Sequence, residues 1–418
     1  MKTHMWNTRA PSLTLLLVLL LACSLLTTSA LSQNTASQSI QSRGEILYAL
    51  QPQLRVNGVY LEDGLGNRVK LKGIQVDWNE RIKIYGGTWE ASSPEESWFT
   101  IDDVRRMKEA GANLVEIHIN PLTHLMPARN VVNEAYFSTW IDTWVDWATQ
   151  YQMYIILDIT GIGARWDWEI TLTFPDWLWE GLYTTPTTKA QYDAIMRDFF
   201  DLDVAKQDIN REAFVNLWKF IANRYKDNPY VMFSIMNEPF CGAEFMGPTD
   251  DNIALGQSYS TYMERIVDAI RSTGAQQLVF INKPYLWDSQ WRMAVQPVNR
   301  DNIVWEDHAY VGQSPWDFNV WKSYIDSYVQ KFVNEFKKPL FIGEYGFDPM
   351  SVIRTDYPTN WKTILAGQVA YLDSLPLAGR QWHTWGYIDG EYYDFAAPSF
   401  SGDLTAEESV WIIQTVLG

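Results

Sequence analysis

VMFSIMNEPF (residues 231–240) and PLFIGEYGF (residues 339–347) share one pattern: an apolar, β-prone run that stops at a glutamate, Glu238 in the first and Glu344 in the second. A strand buried on both faces reads as a continuous apolar run, and a charge directly after it marks the C-terminal end of a central parallel strand. Barrel enzymes hold their reacting groups at that end. Two acids carried there by strands of one barrel are the pair that glycosidic bond hydrolysis requires. One carboxyl must stay neutral to protonate the leaving oxygen, and the other must stay ionised to meet the charge developing on the sugar.

Outward from these runs, β-rich segments alternate with amphipathic helices, the order expected of a parallel sheet with helical crossovers. Eight strands are expected: 70–76, 113–119, 153–159, 231–236, 277–281, 302–306, 339–344 and 380–385. Helices are expected over 100–110, 136–151, 210–225, 259–272, 316–336, 361–375 and 405–416, with a fainter one over 287–295. The fold expected is α/β, a (β/α)8 TIM barrel. An opening hairpin, LRVNGVYLED followed by a GLGN turn and RVKL, would cap its bottom, the glycines and Asn67 supplying positive φ. The stretch 161–209 is too long for an ordinary crossover. As an insertion after the third strand, its Trp166, Trp168, Phe174, Trp177, Trp179 and Tyr183 would build a wall over the upper rim.

The 418 residues, 47% hydrophobic and 20% charged, suffice for a full core. Residues 1–30 read as an export signal: Lys2 and Arg9 precede the apolar run Leu13 to Leu26, and Thr28-Ser29-Ala30 offers a cleavage site. Leu20-Leu21-Ala22-Cys23 also resembles a lipobox, with lipid on Cys23. Residues 31–44 are polar and suit a flexible tether, leaving 45–418 as one catalytic domain. The product is expected to be secreted, or lipid-anchored on the outer face of the membrane, and monomeric. Cys241 is then the sole remaining thiol, read as a small buried hydrophobe rather than a reactive group. Net charge is −17, and −19 once residues 1–30 are set aside, because they hold two bases and no acid. Such a balance argues against nucleic acid and polyanionic partners and favours a neutral sugar polymer or oligosaccharide. The 21 Trp and 22 Tyr supply faces for stacking sugar rings, though large barrels also pack with Trp.

Asn237, beside Glu238, can hydrogen-bond a sugar hydroxyl next to the reacting carbon, and Pro239 stiffens the turn. A helix N-terminal acid is the plainer reading of Glu238 alone, but it does not account for the second acid at Glu344. Gly343 permits close approach to Glu344. His308 and Tyr310 are two apart on an extended run and so face the same way. The Tyr hydroxyl can hold a nucleophilic carboxylate, and the His can orient substrate or tune the proton donor, unless it is merely a buried structural His. Trp385 would lie flat beneath the reacting sugar, whereas Trp382 is expected to pack. The histidines (His4, His118, His124, His308 and His383) form no HxH or HExxH, so neither a metal nor another cofactor is implied.

These motifs together resemble glycoside hydrolase family 5, the cellulase and mannanase family. NEP at 237–239 is similar to the family's acid/base turn after the fourth strand. GEYG at 343–346 is similar to its nucleophile after the seventh, HAY at 308–310 to its His-x-Tyr, and Trp385 to its aromatic platform. LRVNG and LKGIQVDW resemble the entry hairpin and first strand, adding Trp78 to the substrate-binding candidates. The resemblance implies retention, with Glu344 as nucleophile, Glu238 as acid/base and carboxyls about 5–5.5 Å apart. It implies internal cleavage of a neutral β-1,4-linked polysaccharide: glucan first, mannan as the alternative. The chain departs at two places. Glu116 stands where the family has an Arg that pairs with the nucleophile, and Thr160 where it has His. His118, or Arg165 from the following loop, is expected to compensate. The departures leave a non-catalytic carbohydrate-binding barrel as the alternative of another class.

Overall fold

The computed structural model describes residues 53–76, 99–119, 125–159, 176–239, 250–284, 295–311, 317–347, 360–385 and 406–418. Three short strands come first, β1 (Arg55–Asn57), β2 (Tyr60–Glu62) and β3 (Arg68–Val69), in an antiparallel sheet. Eight parallel strands follow: β4 (Leu71–Val76), β5 (Leu114–Ile119), β6 (Tyr154–Ile159), β7 (Val231–Ser234), β8 (Val279–Asn282), β9 (Ile303–Val311), β10 (Leu340–Phe347) and β11 (Gly379–Trp385). They pair in sequence order and close, β11 against β4, into a barrel. All eight expected strands are present, because nearly continuous apolar runs such as YIILDI, interrupted only by Asp158, are stable only where both faces are covered.

Among the described residues the longer helices are α1 (Ile101–Glu109), α2 (Asp142–Gln150), α3 (Lys189–Phe200), α4 (Asp208–Tyr225), α5 (Asp250–Arg271), α6 (Phe318–Tyr328), α7 (Trp361–Ser374) and α8 (Ala406–Leu417). Thr100 starts α1 with a reciprocal cap against Asp103, and Asp317 accepts from Asn319 N and Val320 N to start α6. Two helices read as continuous carry π turns, Phe137–Ile141 before α2 and Val329–Glu335 after α6. The fainter helix expected over 287–295 falls almost wholly outside the described residues.

The core divides in two. Inside the barrel floor lie Leu71, Leu114, Ile156, Met232, Phe280, Val304 and Phe341, and Leu54 and Leu61 of the hairpin segment join this cluster, so the hairpin closes the bottom. Val56 N donates to Asn302 Oδ1 at 3.0 Å and ties the cap down. In the turn between β2 and β3, Gly66 takes φ +84°, while Asn67 bonds the Asp63 carboxylate instead of adopting positive φ. The larger core lies between strands and helices and includes Ile117, Ile155, Trp218, Phe233, Trp305 and Phe332.

The insertion after β6 is partly described, and it holds α3, a helix the sequence reading omitted. Trp177 and Trp179 are buried, with Trp177 Nε1 donating to Met126 O, so both pack inward. Trp166, Trp168 and Phe174 lie outside the described residues. The insertion is clamped by fully buried Arg211, whose guanidinium donates to the carbonyls of Asp198, Phe199, Asp201 and Val204.

Candidate active site

Side chains at alternate positions of the barrel strands point inward, and the interior is layered. Above the apolar floor comes a polar layer formed by Gln75, Glu116, Asp158, Ser234, Glu306 and Gln381, all at most 1% exposed. Above that come His118, His308, Tyr310, His383 and the two glutamates. Contacts between non-neighbouring strands show that these groups meet across the interior: Ser234 Oγ of β7 donates to Glu306 Oε2 of β9 at 3.2 Å.

Each glutamate reaches the rim through a local departure from regular strand geometry. Past β7, Asn237 N bonds Ile159 O at 2.9 Å, and Glu238 then takes φ +39°, a left-handed conformation costing a non-glycine residue about 1–3 kcal/mol. In β10 the register with β9 slips: Ile342 pairs with Asp307, yet Glu344 pairs with His308. Gly343 is the extra residue, so Glu344 turns inward although Ile342, two before it, faces the helices. Any side chain there must push Glu306 aside. A Cβ on Gly343 would lie 1.9 Å from Glu306 Oε1.

One imidazole joins the two acids. His308 Nδ1–H donates to Glu238 Oε1 at 2.6 Å and lies 3.4 Å from Glu344 Oε2. An oxygen of Glu238 and one of Glu344 fall within 4.8 Å of each other. Tyr310 OH donates to Glu344 Oε2, and Gln75 Nε2 donates to Glu344 Oε1 at 2.9 Å. His118 Nε2 and His383 Nδ1 each approach Glu344 to 3.8 Å. Burial by itself pushes the Glu344 carboxyl up, but the charges of His308, His383 and His118 and the Tyr310 hydroxyl outweigh it and hold the group down at about 2. For His308, burial disfavours the cation. The charge of Glu344, the hydrogen bond to Glu238 and nearby Glu306 overcome that and raise it well above the usual histidine range.

In the polar layer beneath, burial and then the charge of Glu116 push Glu306 up to about 7. Burial likewise raises Asp158 well above the ordinary range, with His118 opposing and Glu116 adding to it. Glu116, His118 and Asp158 offer ligand atoms within 4.8 Å of one another, as do Glu238, His308 and Glu344, so either trio has the donor set for a cation. In the first trio, Gln75 Nε2 already donates to Glu116 Oε1 at 2.9 Å and lies against His118 Nε2. The second trio is the pair of acids itself with the imidazole that joins them.

A profile of the cellulase family, glycosyl hydrolase family 5, matches residues 66–387. The chain belongs to glycosyl hydrolase family 5. Its relatives include the cellulase/esterase CelE of Acetivibrio thermocellus, 24% identical over 325 residues that make up 70% of this chain and 35% of CelE. They also include an endoglycoceramidase of Hydra vulgaris, 26% identical over 216 residues, 45% of this chain and 41% of that one. The chain thus spans about a third of the length of CelE and less than half that of the Hydra protein. Among solved structures, an endogalactoceramidase superposes with a TM-score of 0.64 at 19% identity, over 88% of this chain and 84% of its own, which is a likeness of fold.

Within this family 5 barrel the structure brings together Asn237, Glu238, His308, Tyr310, Glu344 and His118. Asn237 is buried, and its Oδ1 has no hydrogen-bond partner among the described residues, which leaves an acceptor for a ligand hydroxyl. Trp385 ends β11 at the rim, but its side chain does not face the barrel interior. An extra residue in β11 between Trp382 and Trp385 shifts its register with β4, so Trp385 joins the strand–helix core. There it is 2% exposed, its indole N–H directed to Asp103 Oδ1 at 3.4 Å. Simple alternation from His383 would have turned it inward. Trp382 packs against Tyr345, as a core Trp should. Trp78, Thr160, Arg165, Cys23 and Cys241 lie outside the described residues. Gln75, His383, Glu306 and Asp158 were not singled out from sequence. The available signal was a polar residue inside an otherwise apolar strand, as Gln75 is in LKGIQV and Glu306 in IVWED.

Proposed function

We propose that this chain hydrolyses β-glycosidic bonds with retention of configuration, Glu344 attacking the anomeric carbon and Glu238 serving as acid and then base. The observation that carries this reading is the oxygen-to-oxygen approach within 4.8 Å, with a single His308 nitrogen reaching both acids. Inverting enzymes need about 6.5–9.5 Å between the carboxyls to admit water, while double displacement uses about 5–5.5 Å. In the first step Glu344, ionised and aligned by Tyr310, bonds to the sugar carbon while Glu238 gives its proton to the departing oxygen. In the second, Glu238 takes a proton from water as water displaces Glu344. The Asn237 Oδ1, buried and without a partner among the described residues, suits the sugar hydroxyl beside the reacting carbon, a contact that strengthens as charge develops.

The proposed substrate is β-1,4-glucan cut internally, supported by the family match and by the likeness to CelE; mannan is the alternative among polysaccharides. The likeness to the Hydra endoglycoceramidase favours a second reading, a β-linked glycan leaving a lipid aglycone. A reducing-sugar assay over soluble glucan, mannan, xylan and lactosylceramide separates these: release from glucan alone supports the first, and from lactosylceramide alone the second. Release from none overturns hydrolysis and returns the binding-barrel reading. Export is proposed from residues 1–30, and mass spectrometry of the mature chain checks it, finding an N-terminus near residue 31 or a lipidated Cys23.

A further inference from the structure

We propose that Gln75 is a positioning residue for Glu344, its carboxamide doing on β4 the work of a cationic partner and setting the orientation and charge of that carboxylate. The assignment rests on the reading of Glu344 as nucleophile. Gln75 is fully buried, and one nitrogen, Nε2, donates to Glu344 Oε1 and to Glu116 Oε1, both at 2.9 Å. Its other end is fixed as well, since Oε1 accepts from His383 Nδ1. An amide held at both ends is pre-organised, and its nitrogen faces two carboxylates, one from β5 and one from β10, with His118 Nε2 of β5 lying against it as well.

The orientation of this amide follows from its neighbours. Were oxygen and nitrogen exchanged, a carbonyl would face two carboxylate oxygens and an N–H would face the His383 donor. Hydrogen bonds given to an ionised carboxylate favour its charged form, so Gln75 acts on Glu344 in the same direction as a guanidinium. It does so without a charge of its own. Among the described residues the groups beside Glu344 that can carry positive charge are imidazoles, His118 from β5, His308 from β9 and His383 from β11, with Tyr310 of β9 as a further donor. Glu116 from β5 and Glu238 past β7 are the opposing acids. Glu116 occupies the place where a pairing arginine is expected, and it shares the donor on Gln75 with Glu344. The arrangement moves the donor one strand over rather than abolishing it.

Two measurements on the full chain test this. The infrared carboxyl band of Glu344, identified by its loss in Glu344→Gln, is followed through an acid titration in the wild type and in Gln75→Met, which keeps the length and removes both donors. The account expects protonation at least about one pH unit higher in Gln75→Met, and kcat about 10- to 100-fold lower with KM within about twofold, the size expected for a hydrogen bond to a charged group. Gln75→Glu, which keeps the shape and puts an acceptor where the donor was, is expected to shift the band further. It carries the test if the Met variant does not fold. An unshifted band in a folded variant, with kcat unchanged, overturns the proposal. The infrared titration needs no substrate, so a wild type inert toward every glycoside sinks the hydrolase reading separately.

Discussion

At Gly343, a missing side chain decides where two carboxylates go. The absent Cβ makes room for Glu306 Oε1, and the extra residue at this position turns Glu344 from the helical face to the interior. Gly343→Ala forces an overlap with three atoms of a buried, hydrogen-bonded side chain. The expected cost is about 1–3 kcal/mol in denaturant unfolding, together with loss of activity. Adding Glu306→Ala should restore part of the stability, because it empties the space the new methyl needs. Tyr310 invites a subtler change. Tyr310→Phe removes a donor to an ionised acid and should lower kcat about tenfold or more while leaving the melting temperature nearly unchanged. Equal kcat in the two proteins would show that the hydroxyl does not hold Glu344.

The residues just past apolar runs were legible in the sequence for a simple reason. A charge that ends such a run stands out, as Glu238 and Glu344 do, and the alternation of His308 and Tyr310 follows from strand geometry. Gln75, Glu306 and His383 were not legible, because each sits inside a strand and gains meaning only from partners far away in sequence. Gln75 and Glu344 are 269 positions apart. Trp385 was misplaced for a different reason: alternation carries a side chain to a face only while the register is unbroken, and β11 breaks it.

Among the elements, the hairpin cap has the clearest energetic role. Leu61, fully buried, comes from β2 and packs with Leu71, Leu114 and Phe341 on the barrel floor. Leu61→Ala should cost about 2–5 kcal/mol, lowering the melting temperature with kcat/KM little affected, since the floor lies below the polar layer. The strands and most helices were read correctly because their periodicities differ and their lengths match barrel units. The exception, α3, belongs to an insertion whose tethers are Arg211 and Arg129 hydrogen bonds to loop carbonyls, and no periodic pattern announces such contacts.

Over the whole molecule, the barrel interior accumulates acids that need protons or cationic neighbours. Glu306 is held at about 7 against an ordinary 4.5, so the folded state favours its protonated form. That contribution to stability is complete below about pH 4.5 and is lost as the pH rises through about 7. Glu306→Gln removes the dependence, so the melting temperature of the variant relative to wild type should rise between pH 5 and pH 8; a difference that does not change with pH would refute the assignment. Glu344 acts oppositely. Its depressed carboxyl stabilises the fold above its ordinary range, and that contribution is lost as the pH falls toward about 2.

The central claim, that two strands of one barrel carry their glutamates to the same anomeric carbon, is tested most directly by trapping. The enzyme is incubated with an activated 2-deoxy-2-fluoro-β-glycoside of its preferred sugar, digested, and its peptides weighed. The account predicts one covalently bound sugar on Glu344, and none after Glu344→Gln, which lacks the carboxylate that forms the ester. A label on any other residue, or turnover with inversion and no label at all, would contradict it.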